Sequence, residues 1–175
     1  MTTRQFYDWQ TAGGGGDVSL LVTTLEQLEI PWCMIGGLAV NHWAKEPLAT
    51  ADVDVVIAAE RVDEAVAALR KAGFTAKKFK WSVNLKGHSK VTVQISTEDF
   101  YRDFPKRSVP ADIHGILMRV ASREDTLRGK ILAYEDQRRR PSKRQKDLLD
   151  IMRMTEAHPK LRKLLPTAIA KKIQE

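Results

Sequence analysis

Asp52 and Asp54 stand two residues apart in an apolar, β-branched run. On a strand, side chains at i and i+2 leave the same face, so the two carboxylates converge. One helix length upstream, Gly36-Gly37 closes another short apolar run, Met34-Ile35. Glycine there lets backbone approach a phosphate that a Cβ would hold off. A helix opening at the pair would add free N–H groups and the positive end of its dipole. A hard divalent cation takes one or two carboxylates plus substrate phosphates. Together these residues suit metal-assisted in-line displacement at a nucleotide phosphate, with Asp52 and Asp54 holding Mg2+ or Mn2+ and pyrophosphate departing. Either motif alone is weak. Their order, strand, Gly-Gly, helix, then a strand opening on Asp-x-Asp, is far more specific.

The elements that must position these groups read as a mixed α/β order. Asp17 is placed as N-cap of a first helix that ends before Pro31. Residues 32–35 read as a buried strand, 38–44 as a helix and 52–58 as a β-rich strand. An amphipathic helix follows over 60–72, with Gly73 past its end. Two strands over 79–85 and 90–95 join around Gly87, and 116–121 form a further strand. Ser122-Arg123-Glu124-Asp125 has the form of a capping box for a helix to about 137. Two more helices are expected over 143–155 and 160–172. The fold class is therefore α+β, a mixed sheet flanked by helices. The expected organisation is a flexible lead-in over 1–16, a core over 17–121 and a C-terminal helical segment over 122–175.

The 175 residues carry a formal charge of +7, which favours polyanionic partners or simply a soluble basic surface. No apolar run is long enough to span a bilayer and no signal-type apolar region opens the chain, so no membrane partner is expected. Cys33 is the only cysteine. No intrachain disulfide can form, which fits a reducing cytoplasm.

The segment Ile35-Gly36-Gly37 through Thr50-Ala51-Asp52-Val53-Asp54-Val55 resembles the signature of the DNA-polymerase-beta-like nucleotidyltransferase superfamily. In particular it is similar to small bacterial nucleotidyltransferases of the abortive-infection and toxin–antitoxin type. Lys71-Ala72-Gly73-Phe74, the run 122–130 and Arg144-Gln145-Lys146-Asp147-Leu148-Leu149-Asp150 extend the likeness over roughly residues 30–152. The resemblance implies a nucleotidyltransferase core that moves a nucleoside monophosphate from an NTP to a hydroxyl of RNA or protein. Gly36 and Gly37 would cradle the β and γ phosphates, with Thr50 bonding nearby. It also implies a cognate antitoxin as partner. Lys130 either reaches the triphosphate, as the resemblance implies, or is a solvated helix lysine. Two departures stand out. Relatives complete the metal site with a third carboxylate on a later strand, where this chain has Gln94. They often carry Arg four residues ahead of the first Asp, where this chain has Leu48. An amide offers an oxygen to a cation but is no base, so general-base help of about 10²–10⁴-fold would be missing or come from elsewhere. A catalytically degenerate nucleotide- or RNA-binding member of a toxin–antitoxin pair is the alternative.

Other residues carry weaker signals. His42 reads as a partly buried histidine rather than a nucleotide contact. Lys146 and Asp147 read as surface charges around Leu148, Leu149 and Ile151 more readily than as a polar edge of the site. No His–Cys spacing suits zinc. Lys77, Lys78, Lys80, Trp81, Lys86 and Lys90 interleave charge with an aromatic. They form either a nucleic-acid track or a lysine-protected strand edge. Arg138-Arg139-Arg140 with Lys143 and Arg144 is the densest basic run, suited to phosphate or to solvent. A glycosyltransferase using Asp-x-Asp is disfavoured, because the chain is short for one and the Gly-Gly helix would have no role.

Overall fold

The computed structural model of the chain describes residues 13–113 and 116–174. In chain order the elements are α1 (Gly15–Gln27), β1 (Trp32–Ile35), α2 (Gly36–Ala44), β2 (Asp52–Ile57), α3 (Val62–Lys71), β3 (Thr75–Lys78), β4 (Ser82–Lys86) and β5 (Thr92–Ser96). They continue with α4 (Phe104–Arg107), β6 (Val109–Ile113), β7 (Ile116–Val120), α5 (Arg123–Glu135), α6 (Pro141–Ala157) and α7 (Thr167–Lys172). The strands form a seven-stranded sheet in the order β3-β4-β5-β2-β1-β7-β6. It is mixed, because β2 with β5 and β1 with β7 are parallel while the remaining pairs are antiparallel. This is the α+β architecture expected.

Alternation decides what each sheet face does. In β2, β4 and β5 every second residue is buried, Val53, Val55, Val83, Leu85, Val93 and Ile95. These pack with Val18, Leu21, Leu25, Val66 and Leu69 of α1 and α3 into the main core. The intervening positions of the same strands, Asp52, Asp54, Asn84, Gln94 and Ser96, therefore project from the opposite face. A second cluster joins Val40 of α2 to Leu127 and Ile131 of α5, Leu148, Ile151 and Met154 of α6, Leu161 and Ile169. Fully burying each such aliphatic side chain contributes about 1.5–3 kcal/mol. That second cluster holds α5 and α6 beside the Gly-Gly helix, and so brings their polar residues to the carboxylate face.

Several expectations are corrected by the geometry. Asp17 lies inside α1, which opens at Gly15 within the expected lead-in, and residues 1–12 of that lead-in fall outside the described residues. Asp17 is 4% exposed and caps a distant loop instead. His88 N and Ser89 N donate to it at 3.1 and 2.9 Å, and Ser89 Oγ at 2.5 Å. Burial opposes its charge, but the Ser89 hydroxyl and these amides outweigh burial and hold the carboxyl below its ordinary range. Of the strand expected over 79–85 only the part from Ser82 is strand, because Phe79 N donates to Ser82 O at 2.8 Å and closes a turn over 79–81, which makes β4 the second arm of a hairpin. Its first arm, Thr75–Lys78, is largely exposed and has no apolar alternation to announce it. The last expected helix is a 3₁₀ stretch, Pro159–Leu164, and the short α7, interrupted because Pro166 lacks the N–H a continuous helix needs. Ser122 caps α5 as expected, its Oγ accepting from Asp125 N at 3.1 Å, while the Asp125 carboxylate accepts from Arg107 and Arg128.

Candidate active site

β1 runs antiparallel to β2 with Ile35 opposite Asp54, so the turn after β1 arrives directly at the second carboxylate. At that turn Gly36 has φ +67°, a left-handed conformation that side chains rarely adopt. A Cβ on Gly36 would stand 2.5 Å from Asp54 Oδ2. The glycine is thus required by the carboxylate itself, a constraint not visible from the motif. A Cβ on Gly37 would meet Thr50 Oγ1 at 3.5 Å, an ordinary contact. Thr50 is 9% exposed. Its hydroxyl donates to Asp52 O at 3.2 Å, and Asp52 N donates back to Thr50 Oγ1 at 3.4 Å. Thr50 therefore fixes the entry to β2 and with it the direction of Asp52.

A cavity of about 460 Å³ opens over these residues. It is lined by Gly36, Asp52, Asp54 and Gln94 from the sheet side, by Lys130 and Thr126 of α5, and by Arg138, Arg139, Arg140, Lys143 and Asp147. The structure thus brings Gly36, Asp52, Asp54, Gln94 and Lys130 to one cavity, while Gly37 and Thr50 are not among its lining residues. Gln94 pairs with Asp54 across the parallel β2–β5 ladder and so sits beside it on the same face. His42 lies elsewhere, edge-on to Trp43 with ring centres 4.7 Å apart. Burial and nearby Lys45 hold its imidazole below its ordinary range.

The charges around the cavity form a network that sequence reasoning largely missed. Asp147, read from the sequence as a surface charge, is 1% exposed. It takes Lys130 Nζ at 3.1 Å and Arg139 Nε at 2.6 Å. Lys130 also lies 2.8 Å from Asp150 Oδ2. Burial alone would push Lys130 down, but Asp150 and Asp147 outweigh it and hold the ammonium above its ordinary value. Lys130 is neither solvated nor a free phosphate clamp, since two buried carboxylates already share its charge. Asp150 continues to Arg153 Nη1 at 2.9 Å, and Arg153 Nη2 donates to Asn41 Oδ1 at 3.0 Å and to Glu46 O. Asn41 in turn exchanges bonds with Leu48 N and O at 3.0 and 2.8 Å, pinning the loop that leads to Asp52. The Asp–x–x–Asp spacing of 147 and 150, one helical turn apart, was the signal available for this cluster.

Asp54 keeps some exposure at the cavity wall, yet protein surrounds its carboxyl. Burial and the like charge of Asp52 push it up to about 6, against the pull of Lys130, Arg139 and Lys143. Asp52 is more open and lies 3.3 Å from Lys143 Nζ. Tyr101 lines the same cavity, and burial with nearby Glu98 and Asp54 pushes its phenol well above its ordinary value. Among the described residues no cluster of three or more His, Cys, Asp or Glu is placed to share a metal ion. The donor set is two carboxylates and one amide. That suits Mg2+ or Mn2+, whose remaining ligands come from substrate phosphates and water. A buried carboxyl beside a second carboxylate is also the electrostatic setting that a divalent cation relieves.

The family model of the nucleotidyl transferase AbiEii toxin of type IV toxin–antitoxin systems matches residues 19–175. Among solved structures, ANT(2'')-Ia in complex with adenylyl-2''-tobramycin aligns at 12% identity over 90% of this chain and 97% of that one, with a TM-score of 0.68. The lincomycin-bound lincosamide antibiotic adenylyltransferase LnuA aligns at 12% identity over 81% and 96%, with a TM-score of 0.58. An antigenic nucleotidyltransferase-like protein from Paracoccidioides brasiliensis aligns at 24% identity over 81% and 74%, with a TM-score of 0.56. At such identities the likeness is one of fold. Comparison with curated proteins finds no match.

Proposed function

Because the chain belongs to the nucleotidyl transferase AbiEii toxin family, we propose that it moves a nucleoside monophosphate from an NTP to an RNA or protein hydroxyl. The observation that carries this reading is the joint placement of Gly36, Asp52 and Asp54 at one cavity rimmed by Arg138, Arg139, Arg140 and Lys143. Asp52 and Asp54 hold the divalent cation, with Gln94 offering a third oxygen. When bound, such an ion activates the attacking hydroxyl and offsets charge on the departing pyrophosphate. The residues of the chain do the rest. The turn at Gly36 presents backbone to the phosphates, and the basic rim draws the triphosphate in. Asp54, enclosed by protein beside Asp52, is the carboxylate whose buried charge the cation would most relieve. Lys130 lines the cavity with its charge taken up by Asp147 and Asp150, so it holds the wall in place while the basic rim meets the triphosphate. In this setting the protein works in the cytoplasm beside a cognate antitoxin.

A second reading has its own support. Gln94 sits next to Asp54 where an acid would serve better, which favours a catalytically degenerate member of a toxin–antitoxin pair that binds nucleotide or RNA without transfer. One experiment separates the two. Wild type and Gln94→Asp are incubated with α-³²P-NTP, Mn2+ and RNA or protein acceptors. Transfer by the wild type that Asp52→Asn with Asp54→Asn abolishes supports the enzyme. Transfer seen only with Gln94→Asp supports the degenerate form. No label in either, together with no NTP–Mn2+ stabilisation against heat and no RNA binding, rules out both.

A further inference from the structure

The carboxylate face of the sheet does not end at the cavity. Asp54 pairs with Gln94, Gln94 with Asn84 and Asn84 with Lys77, so one polar row crosses β2, β5, β4 and β3. Ser96 and Ser82 form a second pair on that face, and Lys86 lies two residues beyond Asn84. Asn84 Oδ1 is buried without a hydrogen-bond partner among the described residues, an acceptor left for a donor that reaches it. At the hairpin tip Phe79 and Trp81 are each 49% exposed. Lys77 Nζ stands 5.3 Å from the Phe79 ring centre and Lys80 Nζ 5.2 Å from that of Trp81. A second cavity of about 580 Å³ lies at this tip, and Ser96 lines both it and the carboxylate cavity. The acids around it are largely engaged, Asp63 by Lys78 at 3.1 Å and Asp99 by Arg102 at 3.2 Å.

We propose that this face, from Gln94 and Asn84 to the Phe79–Trp81 tip, docks single-stranded RNA and leads its reactive end to Asp54. Each part fits one feature of that polymer. Flat exposed rings stack unpaired bases. Lysines over the ring faces add cation–π attraction and meet phosphates. Amides supply donor and acceptor together, as ribose hydroxyls and base edges require. The surplus of +7 over the chain complements a polyanion. The proposal rests on the transfer reading for its direction, since it is that reading which puts the chemistry at Asp54.

The test uses the full chain and a 5′-labelled single-stranded RNA 12-mer of mixed sequence, read by fluorescence anisotropy. Trp81→Ala and Phe79→Ala should each weaken binding roughly tenfold, while Trp81→Phe restores most of it. Lys77→Gln with Lys80→Gln should lower the salt slope of log Kd by about 1.4, or about 0.7 for each phosphate left without its lysine. These variants sit on an exposed hairpin tip, so NTP–Mn2+ stabilisation should stay at its wild-type level. The proposal is overturned if RNA affinity is unchanged in all three hairpin variants, or if only changes at Arg138 and Arg140 reduce it. Duplex RNA competing as well as single strand, or a dimer that Trp81→Ala dissolves, would overturn it too. RNA binding that depends on the hairpin in a protein showing no NTP–Mn2+ stabilisation would refute the transfer reading, and with it the delivery of an RNA end to Asp54, while the docking surface itself would stand.

Discussion

Asp54→Asn in metal-free protein should raise stability, and by an amount that depends on pH. The native carboxyl is pushed up to about 6 from an ordinary 3.8. Two pKa units at about 1.36 kcal/mol each make the charged form cost the fold up to about 3 kcal/mol. The sign follows from proton linkage. Between the two values the native state binds more protons than the unfolded chain, so stability falls as pH rises. The stabilisation of the protonated form is fully present below 3.8 and gone above about 6. Asparagine keeps the shape without the charge, so near pH 8 it should gain up to about 3 kcal/mol, or roughly 6–12 °C in Tm for a chain of this size. Near pH 5 the gain should fall to about half, and near pH 4 to about a fifth. The assay is thermal unfolding with chelator across that range. Saturating Mn2+ should reverse the order, stabilising the wild type and not the variant. An equal Tm at pH 8, or a difference that does not change with pH, would refute the argument that Asp54 is a strained, buried carboxylate.

Two further outcomes follow from the site. Gly36→Ala meets both a left-handed backbone and Asp54 Oδ2. It should cost at least about 1–2 kcal/mol by denaturant unfolding and abolish NTP–Mn2+ stabilisation, whereas Gly37→Ala, in ordinary contact, should do neither. Asp147→Ala leaves Lys130 and Arg139 without a shared buried partner. By equilibrium unfolding it should cost about 3–5 kcal/mol, far more than the near-zero loss expected of a surface aspartate.

The parts of the fold that alternate were readable from sequence, because apolar period and burial coincide in β2 and β5. β3 was not, since Thr75-Ala76-Lys77-Lys78 is an edge strand whose pairing lies in its backbone rather than in its side chains. In the site, Asp52, Asp54 and Gly36 announced themselves through spacing on neighbouring elements. Asp147 did not, because its burial is created by Lys130 and Arg139. A carboxylate surrounded by cations in space looks, along the chain, like any other charge on a helix. Asp17 misled for a related reason, as a side chain that looks like a local cap can serve a loop beyond residue 85.

The ion pair between Lys143 and Asp52 joins residues 91 apart in the chain. Strand β2 also waits for β5 before its parallel pairing can form, and such distant closures are slow relative to local helices. At a synthesis rate of about 5–20 residues per second, Asp52 precedes its counter-ion by roughly 5–20 s. During that interval the nascent chain holds its carboxylates without the helix that completes their cavity. The completed cavity therefore arrives late in synthesis and as a unit, and a ribosome-bound fragment ending before α6 carries the motif without its surroundings.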